Sequence, residues 1–259
     1  SNKEMKEFLE LADYKLLVLV GDTYQIESIE FGNWFDTIRG FLPESAICEL
    51  IKPYRSNSKQ LQALWDNVRK MEDDILDRLQ AGGYSVNLDP SILTPASENE
   101  IILCLNYGGL YGINNINHFM QENNNGKEIR RGIQRYKVGD PILFNDLADS
   151  FFTKNKEQVP IIHNNMKGRI EDFRLLEAGK VTERIQFDIE IDKPLMNLDD
   201  KDLDFQVIGV SEKGNSIIRF EVYKNKSTDE DDDSVSKNMV PFQIAYAVSI
   251  HKAQGLEYD

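Results

Sequence analysis

The sequence predicts an α/β layered fold interrupted by a small all-β unit. Up to about residue 134, short continuous apolar runs alternate with segments of helical periodicity, the pattern of buried strands packed under amphipathic helices. Beyond that point apolar residues recur at every second position, the period of half-buried strands. A third observation is the apolar stretch "VPFQIAYAVSI" at 240–250, which predicts that the chain returns to the first layer after the β unit.

Met5, Phe8, Leu9 and Ala12 recur at helical spacing, and "KLLVLV" at 15–20 has the continuous apolar character of a buried strand, ending at Gly21-Asp22. "GNWFDTIRGFLP" predicts a short helix closed by Pro43, and "AICELI" a return to strand. Leu61, Leu64, Trp65, Val68, Met71, Ile75 and Leu79 line one face of a long helix, with N-caps available at Ser56 to Ser58 and a stop at Gly82-Gly83. "EIILCL" at 100–105 reads as a strand, and "YGINNINHFMQ" as a helix with Ile113, Ile116 and Met120 on one side. The β unit then carries alternation at Tyr136, Val138, Ile142 and Phe144, at Ile185, Phe187, Ile189 and Ile191, and at Ile218, Phe220 and Val222. "HNNMKG" at 163–168 and "SEKGNS" at 211–216 have turn chemistry.

Composition narrows the function classes. With 259 residues, 41% of them hydrophobic, the chain is long enough for one large or two modest domains. No run approaches the roughly 20 apolar residues of a membrane span, and the N-terminus lacks signal-peptide order, so the expected compartment is cytoplasmic. Cys48 and Cys104 have no CxxC spacing and read as reduced thiols rather than zinc or redox ligands. The net charge of -14 argues against a broad nucleic-acid-binding surface but leaves room for a narrow one. Part of that charge sits in "STDEDDDS" at 227–234, which has the composition of a solvated connection.

Three short segments carry possible chemistry. In "LLVLVGDTYQI", Asp22 suits either a magnesium-holding carboxylate at a strand end or a plain turn, and Gln25 would lie at the carboxyl edge of a sheet, where open α/β folds bind ligands. Arg55 in "IKPYRSN" offers a planar fork for phosphate oxygens or is an exposed residue before a helix. In "SIHKAQGLEYD", Ser249, His251, Lys252 and Gln254 crowd donors around Gly255, which permits close backbone approach to a phosphate. No acidic constellation with metal-ligand spacing stands out, which disfavours a metal-dependent nuclease.

In this order the segments resemble superfamily 1 helicases. "LVGDTYQI" looks like motif III, "YRS" resembles motif IV, and "AYAVSIHKAQGLEYD" is similar to motif V of the RecD-like branch, while "EIILCLNYGGLYGINNIN" and "VGDPILFN" match segments placed between motifs IV and V. The resemblance, to RecD/UvrD-like DNA helicases, implies a RecA-like (P-loop NTPase-type) fold with an inserted SH3-like β barrel. It assigns 1–45 to the end of a first RecA-like domain, 46–135 and 239–259 to the second, and 136–238 to the insertion. It implies catalytic roles at the γ-phosphate for Gln25 and Arg55 and places Asp22, Gly255 and Glu257 near the nucleotide. Ser249, His251, Lys252 and Gln254 would face a nucleic-acid backbone. ATP with Mg2+ would be the cofactor, single-stranded or forked DNA the partner, and repair or recombination the setting. No GxxxxGK[ST] loop, and no Asp-Glu pair before residue 15, occurs in the 259 residues, so the expectation is the C-terminal portion of such a helicase, inactive by itself. A non-catalytic module that binds nucleic acid or protein through its β domain is the alternative.

Overall fold

The computed structural model describes residues 2–25, 32–52, 54, 56–87, 89, 93, 100–145, 161–180, 182–195, 205–224 and 239–254. The chain divides into two units, Ser1–Leu88 and Asp89–Asp259.

The first unit is helical where it is regular. Helix α1 spans Asn2–Leu11 and α2 spans Trp34–Arg39, the latter capped by the Asn33 side chain, which accepts from the Asp36 amide. A single 3-10 turn covers Glu44–Ala46. The long helix expected after Ser58 is two helices, α3 (Lys59–Arg69) and α4 (Ile75–Ala81). Both expected terminal signals operate: Ser58 accepts from the Leu61 amide, and Gly82 closes the second helix. The break falls at "KMEDD", where Met71 takes a positive φ of 53° and Asp74 starts a new turn with its carboxylate 2.8 Å from Arg78. Acidic side chains there favour a fresh helix N-terminus over the middle of a continuing one.

The strands expected at 15–20 and 46–51 do not form. Leu16, Val18 and Val20 are exposed, as are Leu50 and Ile51, and no strand occurs among the described residues of this unit. A buried parallel strand is stabilised by ladder partners and by cover on both faces, and apolar character supplies neither. None of the described residues from 2 to 87 is fully buried.

The second unit holds the core. Strand β1 (Ile102–Cys104) leads through a glycine-containing loop into helix α5 (Ile113–Asn123), whose Ile113, Ile116 and Met120 are buried as the periodicity requires. A hairpin follows, β2 (Glu128–Arg131) and β3 (Gln134–Lys137), and then β4 (Pro141–Phe144), β5 (Lys167–Leu176), β6 (Arg184–Ile191), β7 (Gln206–Val210), β8 (Ser216–Tyr223) and β9 (Phe242–Ile244). Strands β4 to β9 form one antiparallel sheet in the order β7-β8-β6-β5-β4-β9. Both expected turns are present: the Met166 amide donates to the His163 carbonyl ahead of β5, and the Gly214 amide to the Ser211 carbonyl between β7 and β8.

Alternation delivers the core. Ile185, Phe187, Ile189 and Ile191 of β6 are buried against Ile218, Phe220 and Val222 of β8, with Tyr136, Phe144 and Phe242 closing the cluster. Phe187 meets Phe242 edge-to-face at a ring-centre distance of 5.3 Å. The expected closed SH3-like barrel is not what the described residues build, because β7 and β9 sit at opposite ends of the ladder and the sheet stays open. Closure needs strand tilt and a continuous shear around the ring.

The final strand, β10 (Ala247–Ser249), pairs in parallel with β1, Ile102 opposite Ala247 and Cys104 opposite Ser249, and runs directly into helix α6 (Ile250–Ala253). This is the return of the chain expected from "VPFQIAYAVSI", although its first part, β9, still belongs to the antiparallel sheet. Cys104 is buried, Cys48 exposed, and neither forms a disulfide.

Candidate functional site

Because β1 and β10 are parallel, their carboxyl ends lie on the same edge. The loop 105–112 follows one and α6 follows the other. Two backbone bonds, from the Ile113 amide to the Asn106 carbonyl (2.9 Å) and from the Asn114 amide to the Tyr107 carbonyl (3.1 Å), fold the loop onto the start of α5. Gly112 is required there, since a Cβ at that position would overlap the Gly108 carbonyl. Tyr107, Leu110 and Tyr111 are left exposed, and Tyr107 and Leu110, with Asn114 and His118, flank an open groove.

On the β10 side, Ser249 is buried and its hydroxyl accepts from the Lys252 amide at 3.3 Å, capping α6. The Lys252 ammonium donates to Gln243 Oε1 at 3.1 Å, and His251 and Gln254 are exposed. Ala253 packs under the turn against a small cluster containing Val248 and Leu143. Four of the residues singled out in the sequence, Ser249, His251, Lys252 and Gln254, therefore share one strand-to-helix turn. Gly255 and Glu257 lie outside the described residues, and so does the acidic stretch 227–234.

The turn is held from behind by a buried polar cluster that sequence reasoning missed. Asp140, fully buried, accepts four hydrogen bonds: from Gln121 Nε2 (2.6 Å), Asn124 Nδ2 (2.7 Å), the Lys137 amide (2.9 Å) and the Tyr246 hydroxyl (2.8 Å). Burial, and after it the Asp140 carboxylate, push the Tyr246 phenol well above its ordinary value. Asn117 clamps the same corner, accepting from the Ala247 amide (2.8 Å) and donating to the Ala247 carbonyl (3.0 Å). A signal was available. Asn117 and Gln121 of α5 and Asn124 at its C-cap stand at i, i+4 and i+7, a polar stripe beside the helix's apolar face.

In the first unit, Asp22 and Gln25 share one turn. The Asp22 carboxylate accepts from the Tyr24 amide (3.0 Å), and its carbonyl from the Gln25 amide (3.3 Å). Arg69 of α3 stacks on Tyr24, 4.6 Å from the ring centre, with its guanidinium 3.8 Å from Asp22. Asp22, the carboxylate that the sequence offered to magnesium, thus forms a part-exposed ion pair with Arg69. Arg55 lies outside the described residues. Among the described residues no group of three or more His, Cys, Asp or Glu side chains is arranged to hold a metal ion, and the 259 residues contain no GxxxxGK[ST] motif. No helix of the described residues is long and apolar enough to cross a membrane.

No family model matches the sequence, and no curated protein does. Among solved structures, the Pif1 helicase from Candida albicans aligns with a TM-score of 0.40 at 14% identity, covering 80% of this chain and 47% of that one. The chain thus spans about half the length of that helicase.

Proposed function

We propose that this chain is part of a superfamily 1, RecD/UvrD-like, ATP-dependent DNA helicase, and that the Ser249–Gln254 turn meets the backbone of the translocated strand. The observation that carries the reading is the parallel pairing of Ile102–Cys104 with Ala247–Ser249, which sets the motif-V-like turn at a carboxyl edge beside the loop after β1. Such an edge is where open α/β sheets take ligands. His251 and Lys252 supply donors without a broad basic surface, in keeping with the net charge of -14.

In this reading residues 1–45 close a first RecA-like domain, 46–135 and 239–259 belong to the second, and 136–238 form an inserted β unit. Gln25 and Arg55 act at the γ-phosphate, while Asp22, Gly255 and Glu257 lie near the nucleotide. ATP and Mg2+ are held by the complete protein. The exposed Leu16, Val18 and Val20 are then strand residues awaiting ladder partners in that protein. The test is unwinding of a forked DNA duplex by the full-length natural polypeptide. ATP-dependent strand release that drops on His251→Ala supports the proposal. Single-strand binding with no ATP hydrolysis would mean a binding module instead.

A further inference from the structure

The β2–β3 hairpin is a positive island in an acidic chain. Residues 126–137 hold Lys127, Arg130, Arg131, Arg135 and Lys137 against the single acid Glu128, a net charge of +4, so the remaining residues sum to -18 against the total of -14. The register sorts these charges. Ile129 lies opposite Tyr136, and both pack against the sheet core, which anchors the base of the hairpin. On the other face Arg130 lies directly opposite Arg135, and Glu128 opposite Lys137. Like charges placed directly across a ladder destabilise it.

One carboxylate serves all three cations. Glu128 is 2.6 Å from Arg130, 3.8 Å from Arg135 and 4.0 Å from Lys137. The bond from Arg130, with the other cations adding to it, holds its carboxyl below the usual range. Lys137 is further satisfied by the Gln121 and Asn124 carbonyls at 2.7 Å each, which leaves the two arginines sharing a carboxylate that can balance one of them. The tip is built differently. Gly132, at φ 59°, makes the two-residue turn possible, and next to it Ile133 is completely exposed.

A two-stranded ribbon with two arginines sharing one carboxylate on its face, Arg130 exposed and Arg135 largely covered, and an apolar residue at its tip has the dimensions and charge to enter the major groove of a DNA duplex, the arginines at phosphates and the isoleucine against base edges. We propose that the Glu128–Lys137 hairpin is a duplex-DNA contact, distinct from the Ser249–Gln254 turn. The inference rests on the helicase reading for its choice of nucleic acid over other polyanions, but its test does not use unwinding.

The measurement is fluorescence anisotropy of the 259-residue chain with a labelled duplex and a labelled single strand, over a series of salt concentrations. Arg130→Gln with Arg135→Gln is expected to weaken duplex binding about tenfold or more through loss of two charge-assisted contacts. It should also lower the slope of log K against log salt by about 1.8, roughly 0.9 per phosphate contact. Glu128→Gln, which frees both arginines, is expected to tighten duplex binding. Circular dichroism checks that each variant is folded. Duplex binding unchanged in the double variant, weakened by Glu128→Gln, or absent from the wild-type chain would each overturn the proposal, as would a preference for the single strand that the hairpin variants abolish. A chain whose hairpin variants lose duplex binding, but whose full-length form fails to unwind, would leave the hairpin proposal standing and the helicase reading refuted.

Discussion

Replacing Asp140 by alanine should loosen the corner that carries the Ser249 turn while leaving the first unit untouched. The carboxylate is fully buried and accepts four hydrogen bonds. Two of the donors have second acceptors: Gln121 Nε2 also reaches the Arg135 carbonyl (3.0 Å), and Asn124 Nδ2 the Val138 carbonyl (3.1 Å). The Lys137 amide and the Tyr246 hydroxyl lose the acceptor they point to. An unsatisfied buried donor costs about 1–3 kcal/mol, so the two together predict a loss of roughly 2–6 kcal/mol, centred near 4. Against a typical domain stability of about 5–15 kcal/mol this is a large fraction. With a urea m-value of about 2 kcal/mol/M, the midpoint should fall by roughly 2 M. The two tryptophans, Trp34 and Trp65, both lie in the first unit and report only on it, so their fluorescence transition is an internal control. The second unit is followed by far-UV circular dichroism and by hydrogen exchange of residues 242–249, which should become faster. A shift of the second unit's transition worth less than about 0.5 kcal/mol, with exchange unchanged, would refute the idea that Asp140 holds the corner.

Alkaline titration tests the buried phenols. Burial pushes Tyr136 up to about 12, the Arg131 charge opposing it in part, so that of the ten tyrosines it should ionise late in an absorbance titration near 295 nm. The sign follows from linkage: the folded state holds the proton more tightly than the unfolded state, so stability is intact below about pH 10 and is lost as pH rises towards 12, a slope that Tyr136→Phe should reduce. On the proposed helicase reading, Arg55→Ala in the full-length protein should lower DNA-stimulated ATP turnover by roughly 10²-fold with less effect on nucleotide affinity, and Arg55→Lys should rescue poorly because a point charge does not reproduce the planar fork. Equal turnover in all three forms would mean that Arg55 has no role at the phosphate.

What the sequence made legible follows from where periodicity decides burial. Ile185 to Ile191 and Ile218 to Val222 alternate cleanly, both strands are buried on one face, and the core was readable residue by residue. "KLLVLV" was misread because apolar content says that a segment wants cover without saying that cover is at hand, and Leu16, Val18 and Val20 remain exposed. The β2–β3 hairpin was missed for the opposite reason. In "EIRRGIQRYK" only Ile129 and Tyr136 are apolar residues packed on the core, too few to show a period among four cations. At the candidate site, the donors of the Ser249–Gln254 turn were visible because they are neighbours in sequence. The cluster behind them was not, since Asp140 and Tyr246 are brought together only by the fold, across 106 positions.

The corner between β9 and β10 is two residues long, Ala245 and Tyr246, and both are already committed: the Ala245 amide donates to the Pro141 carbonyl (2.9 Å) and the Tyr246 carbonyl accepts from Ile102 (3.1 Å). A hinge works by letting a few torsions absorb a rotation, and here the main chain has few to spare. The antiparallel sheet and the Ser249 turn are therefore geared together like a crank and its shaft. From Ile244 to Ser249 is five residues, no more than about 17 Å of extended chain, and a push on one end of that length is delivered to the other with little lost in slack.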